Sequence, residues 1–486
     1  MRGEQRLFSI SSCVLYINYF LETENGPFMP ASSQNPTMTS SVLHRNLRRP
    51  PTMAASGTGP YLIDEAGKHY LDASGGAAVS CLGHSHPAVL AAIHEQVDRL
   101  AFAHTAFFAN KPSEDLAAKL IEFAPPGFGK GRVAFVGSGS EAMEAALKLA
   151  RQYFVEKGQP QRTRFISRRM SYHGNTLGAL AIGGHAGRRA VYEPLLIETH
   201  QIGPCYEYRF REAGETPEAY GKRMADELEA MIVALGADTV AAFVMEPIVG
   251  ATLGSVPPAP GYMKHIRAIC DRHDVLLIAD EVMCGMGRTG AMFVSQQEGV
   301  VPDIITIAKG LGAGYQPIAA VMARDRVVEP LADGSGQLSH GHTYMSHAVS
   351  CAAALAVLET ITAEGMLERV NALGDLLRDA LEARFADHPH VGNIRGRGLL
   401  WSLELVRDKR SKAPFDASAG LAAQLKSTAM AHGLICYPSG GTADGVNGDH
   451  VLLAPPYIIE EAQIAEIVDK LDRSFTDGLA SISLAA

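Results

Sequence analysis

Three features of the sequence predict an α/β fold with a mainly parallel sheet, followed by a smaller α+β unit. Short, fully apolar runs recur between positions 132 and 308 without the polar alternation of a half-exposed strand, the pattern of strands buried on both faces. Segments with helical periodicity separate these runs, as helices that cover both faces of such a sheet require. After about residue 345 the texture changes to two long helical stretches and then to short strands and helices. Ligands of open parallel sheets bind at the carboxyl ends of the strands, so those ends are where chemistry is expected.

Taken in order, the chain begins with an atypical stretch. "LFSISSCVLYINYFL" (7–21) follows Arg2 and Arg6 like the apolar part of a signal peptide, but serines and an asparagine interrupt it and no small-residue cleavage site follows. "NGPFMPASSQNPTMTSS" is low in hydrophobicity and rich in Pro, Ser and Thr, a composition that does not bury a core. Residues 1 to about 40 are therefore expected to be an extension that does not fold with the rest; translation starting at Met38 would account for it. From about residue 60 the elements follow one another. "RVAFV" (132–136) is a strand, and "SEAMEAALKLARQYF" places Met143, Ala146, Leu147, Ala150 and Phe154 on one helical face. Strands are expected at 164–167, 240–246, 275–280 and 304–308, with a helix at 261–272. Helices at 346–361 and 366–385, a strand at 398–405, a helix at 418–431, a strand at 450–453 and a helix at 460–475 complete the chain.

Composition excludes several classes. With 486 residues and a formal charge of −9, there is neither a basic footprint for nucleic acid nor a polybasic patch for an anionic membrane. No apolar stretch reaches membrane-spanning length. The seven cysteines are scattered, odd in number and without a CxxC pair. That usage fits reduced thiols in a cytoplasmic enzyme better than a disulfide framework or a zinc site, and no metal is expected.

Three features fall at predicted strand ends. "GSGSEA" (137–142) opens a helix after strand 132–136, with Ser138 and Glu141 spaced as a capping box. Gly139 would let backbone approach a ligand closely, and free amides at a helix start attract phosphate. The same letters suit an ordinary strand–helix turn or a loose dinucleotide fingerprint, which keeps a nucleotide-dependent oxidoreductase open. Asp280 ends "VLLIAD" and must be hydrated, paired or bound to a ligand. Lys309 ends "IITIAK", where a lysine either snorkels to the surface or reacts. A phosphate cup, a carboxylate and a primary amine at the edges of one sheet are together the parts that hold pyridoxal 5'-phosphate. The amine forms an imine with the aldehyde, the carboxylate keeps the pyridine nitrogen protonated and the cup anchors the phosphate. Burial would favour the neutral, nucleophilic lysine. The oxidoreductase alternative calls for an acidic residue ending the next strand, where Ser167, Arg168 and Arg169 stand instead.

The motifs carrying this chemistry, with "YLDASGGAAVSCLGHSHP" (70–87), "YHGNTLGAL" (172–180), "EPIVGATLG" (246–254), "IADEVMCGMGRTG" (278–290), "IAKGLGAGYQPIAAV" (307–321), "GHTY" (341–344) and "IRGRGLL" (394–400), resemble the class III (omega) pyridoxal-phosphate aminotransferases over roughly residues 55–475. The resemblance implies the fold type I architecture shared with aspartate aminotransferase. It also implies an N-terminal segment at 41–85 packing with the small domain, a large cofactor-binding domain at 86–345 and a small domain at 346–486. It assigns Lys309 as imine lysine and proton shuttle, and Asp280 as partner of the pyridine nitrogen. Val282 and Tyr172 resemble the residues packing on the two ring faces. Ser138, Gly139, Ser140 and His173 fall among the cofactor contacts. Thr343 resembles a threonine that reaches the phosphate from a neighbouring subunit, which implies a homodimer or higher assembly. Arg395 resembles an arginine that grips a substrate carboxylate, and Phe107 and Phe108 are candidates for an apolar substrate pocket.

This sequence departs from the pattern in places. Val249 stands where many relatives have Gln, and Ala251 where ornithine- and γ-aminobutyrate-type members carry Glu. The loop at 437–456 lacks an arginine that some members use as a mobile carboxylate switch. The implied reaction is transfer of an amino group from an amino acid or amine to a 2-oxo acid such as pyruvate or 2-oxoglutarate, through the pyridoxamine form. A decarboxylase, lyase or aminomutase outcome on the same fold stays open, because the core residues do not fix which Cα bond breaks.

Overall fold

A computed structural model describes residues 40–48 and 50–483 of the chain. The expected extension lies outside the described residues apart from Ser40. The described chain opens with a small antiparallel meander, β1 (Ala54–Thr58), β2 (Tyr61–Asp64) and β3 (His69–Asp72).

The central sheet follows: β4 (Arg132–Val136), β5 (Arg164–Arg168), β6 (His200–Ile202), β7 (Val240–Met245), β8 (Leu276–Asp280), β9 (Ile304–Ile307) and β10 (Ala319–Ala323), in the order β4-β10-β9-β8-β7-β5-β6. Strand β10 is antiparallel to both its neighbours; the remaining pairings are parallel. The missing polar alternation has a direct cause. In β7, Ala242 and Val244 pack towards the helix Gly139–Glu156, while Phe243 and Met245 pack towards the helices Pro217–Leu235 and Tyr262–Arg272. Both faces are covered, and each fully buried large apolar side chain contributes roughly 1.5–3 kcal/mol. Met143, Ala146, Leu147, Ala150 and Phe154 are all buried, on the helix face read from the sequence.

Beyond the buried helix Ala348–Ala363 and the helix Met366–Phe385 come β11 (Val391–Arg397), β12 (Leu400–Leu405), β13 (Leu434–Ile435), β14 (Tyr437–Gly440) and β15 (Asp449–Leu453). Four of these form an antiparallel sheet in the order β11-β12-β15-β14, and β13 joins the meander as a parallel partner of β3. The helix expected at 460–475 spans Glu461–Ser483. Among the described residues no single helix is long and apolar enough to cross a membrane.

Candidate active site

Parallel pairing of β8 and β9 sets Asp280 opposite Thr306, so the chain leaves both strands at the same edge of the sheet. Lys309 comes two residues after β9 ends and has φ +47, a left-handed conformation that costs a non-glycine residue on the order of 1 kcal/mol or more. Its side chain points into a cavity of about 480 Å³ whose walls also include Ser138, Gly139, Ser140, Tyr172, His173, Asp280 and Val282. Burial lowers the lysine's pKa, opposed by the negative charge of Asp280 and Glu246. Among the described residues its amine makes no hydrogen bond.

The turn Gly137–Ser140 opens the helix Gly139–Glu156. Ser138 Oγ accepts from Glu141 N at 3.3 Å, as the cap expectation requires. The reciprocal half of the capping box is absent: Glu141 Oε2 accepts from Gly137 N at 2.6 Å. The carboxylate has moved one residue upstream and leaves the amides that start the helix to face the cavity. The amides of a first helical turn have no partner within the helix. A side chain at position 139 would lie 3.0 Å from Val282 Cγ1, so the cradle is shaped for glycine. Ser140 Oγ accepts from Asn175 N at 3.0 Å, which fixes it at the cavity wall.

Asp280 is oriented before any ligand arrives. Its Oδ2 lies 2.7 Å from His173 Nδ1, and Oδ1 accepts from Val282 N at 3.1 Å and from Thr306 Oγ1 at 3.4 Å. The other ring nitrogen of His173 is buried without a partner. Behind this pair sits Glu246, buried, with Oε1 accepting from Tyr172 N at 3.0 Å and Oε2 from Gly250 N at 2.9 Å. Burial raises its pKa, and His173 works in the opposite direction. Glu246 was missed as a site residue although it follows β7 as directly as Asp280 ends β8; the rule that singled out Asp280 applied to it equally.

Four expected site residues lie elsewhere in the subunit. Thr343 lines a neighbouring cavity that shares Gly137 and Gln316 with the first. Phe107 and Phe108 are 80% and 67% exposed and line no part of the Lys309 cavity. Arg395 is buried and engaged. Its Nη1 pairs with Glu404 Oε2 at 2.7 Å and donates to Asn393 Oδ1 at 3.0 Å, Nε donates to Gly254 O at 2.6 Å, and Nη2 donates to Leu253 O. With four of its five N–H donors spent on protein acceptors, Arg395 stands outside the lining of the Lys309 cavity.

The residues around Lys309 fit pyridoxal phosphate. An amine without a hydrogen-bond partner, an oriented carboxylate and a glycine-lined helix start share one cavity, and they match an aldehyde, a ring nitrogen and a phosphate.

Residues 42–475 match the family model described as aminotransferase class-III. An uncharacterised aminotransferase of Schizosaccharomyces pombe is 44% identical over 435 residues, covering 89% of this chain and 94% of its own. A diaminobutyrate–2-oxoglutarate transaminase of Halomonas elongata is 38% identical over 434 residues, 87% of this chain and 90% of its own. The crystal structure of an omega transaminase from Pseudomonas jessenii in complex with PMP superposes with a TM-score of 0.85 at 37% identity, covering 92% of this chain and 98% of that one.

Proposed function

Because the chain belongs to the class III aminotransferases, and so is a pyridoxal-phosphate-dependent transaminase, we propose that Lys309 carries the cofactor and moves the proton in the transfer of an amino group to a 2-oxo acid. The observation that carries this reading is the single cavity shared by Lys309, Asp280 and the Ser138–Ser140 turn. When bound, pyridoxal phosphate supplies an electrophilic carbon for the substrate nitrogen and a ring that takes up the electrons left at Cα.

Lys309 would hold the cofactor at its aldehyde carbon, and its desolvated amine, neutral more readily than an exposed one, would take up the proton from substrate Cα. Asp280, held by His173 and Val282 N, would keep a proton on the pyridine nitrogen. Ser138, Gly139 and Ser140 would hold the phosphate, and Tyr172 and Val282, in the same cavity wall, would pack on the ring. Residues 86–345 form the cofactor-binding unit, and the described residues of 41–85 and 346–483 together form the smaller one.

The enzyme acts as a homodimer or higher assembly with a shared site, and Thr343 serves the partner's phosphate. Exposed Phe107, Phe108 and Tyr344 support this reading, since Tyr344 follows Thr343 and packs 5.5 Å from Phe102. A cytoplasmic location is supported by six free cysteines among the described residues, five of them buried.

Borohydride reduction of the holoenzyme, followed by peptide mapping, tests the assignment. The cofactor mass should be recovered on the peptide containing Lys309, with loss of the yellow absorption; label on any other lysine would refute it. Product formation should also require an oxo-acid acceptor, and turnover without one would return the decarboxylase reading.

A further inference from the structure

Arg188 is a cation to which the reading above gives no role. It sits in the four-residue helix Ala186–Arg189, and its guanidinium carbon lies 4.8 Å from the centre of the Tyr172 ring. Its Nε is buried without a hydrogen-bond partner, and among the described residues no carboxylate pairs with it. An unmade hydrogen bond at a buried donor is costly, and this half-buried guanidinium is open to an acceptor. The contrast with Arg395, whose donors are satisfied by protein, separates the two arginines by function.

The space in front of Arg188 is a second cavity of about 230 Å³, also lined by Arg45, Lys426 and Tyr437, and with no aspartate or glutamate in its wall. Ala251 lines both this cavity and that of Lys309, so the two adjoin across a methyl group. No side chain at 251 offers a carboxylate to neutralise Arg188. The positive charge of Arg188 is felt at both Lys309 and Tyr172.

We propose that Arg188 binds the carboxylate of the substrate, in the chamber beside Ala251, while the reacting carbon lies over Lys309. The proposal rests on the reading of Lys309 given above. Every 2-oxo acid acceptor has such a group, and the planar guanidinium fork matches it with two parallel hydrogen bonds. Arg45 and Lys426 add positive potential at the chamber, favouring acceptors and donors with a second carboxylate.

The test compares wild type, Arg188→Met and Arg188→Lys. Calorimetric titration of the holoenzymes with glutarate, an unreactive dicarboxylate, should show a Kd raised at least about 10-fold in Arg188→Met, with partial recovery in Arg188→Lys. Stopped-flow measurement of the oxo-acid half-reaction should show the loss mainly as a raised KM for pyruvate and 2-oxoglutarate, roughly 10²-fold. Equal glutarate affinity in all three proteins, or none in wild type, would overturn the proposal. Those results would leave the Lys309 assignment intact, because borohydride labelling of each holoenzyme reports on it independently.

Discussion

Three groups fix the two acceptor oxygens of Asp280: His173, Val282 N and Thr306 Oγ1 hold the carboxylate, while β8 holds the backbone. An amide in its place keeps the shape and the contact with Val282 N but loses the anion. Asp280→Asn is therefore expected to fold with a melting temperature within a few degrees of wild type and to lose roughly 10²–10³ in kcat, the scale of removing one preorganised electrostatic partner. Near-normal turnover would show that the ring nitrogen does not need a negative neighbour. At this scale Asp280 and Lys309 were legible because each is a charged residue closing an apolar run. Arg188 was not, because nothing in "GGHAGRRAVYEP" separates it from Arg189. In the fold Arg189 is spent on carbonyls such as Gly183 O and on Glu193, whereas Arg188 has no carboxylate partner among the described residues.

Among the elements, Arg395 on β11 ties two parts of the molecule together: it reaches Leu253 and Gly254, beyond β7, while pairing with Glu404 on β12. Glu404 is buried, and burial pushes its pKa well up, so its charge depends on Arg395 and on Arg209, whose Nε donates to it at 2.6 Å. Arg395→Ala is expected to destabilise the protein by about 3 kcal/mol, as for breaking a buried ion pair. Urea unfolding measures this; unchanged stability with a selectively raised substrate KM would restore the substrate role. In the central sheet β4, β5, β7, β8 and β9 were readable because burial on both faces leaves continuous apolar letters; β10, equally buried, was not singled out as a strand. β6 and β13, of three and two residues, are too short to carry a pattern. β11 was hidden by its glycines. Gly396 is required there because a Cβ would lie 2.1 Å from Leu400 O. The last helix outran its expected end for a related reason: Gly478 reads as a stop, yet a Cβ there would lie 2.8 Å from Leu425 Cδ2, so the glycine permits close packing on the helix Leu421–Ala431.

At the scale of the whole molecule, the question is why Phe107 and Phe108 stay in solvent when each could bury a large apolar area. His104 packs 5.9 Å from Phe107, and Phe102 packs against Tyr344 and His347, so the aromatic surface is continuous with the segment that carries Thr343. Exposed aromatic surface of this kind marks an interface, and buried aromatic anchors carry much of the affinity of such interfaces. If a second copy covers it, Thr343 is brought to the neighbouring active site by the contact that buries the phenylalanines. The double variant Phe107→Asp, Phe108→Asp should then raise the dimer dissociation constant by at least about 10²-fold in sedimentation velocity, each lost anchor being worth more than 1 kcal/mol before the charge penalty. Activity should fall with dimer content as the protein is diluted, although Lys309 and Asp280 lie in one chain and are untouched. A variant that remains dimeric at all concentrations would place the interface elsewhere and return the two phenylalanines to the substrate.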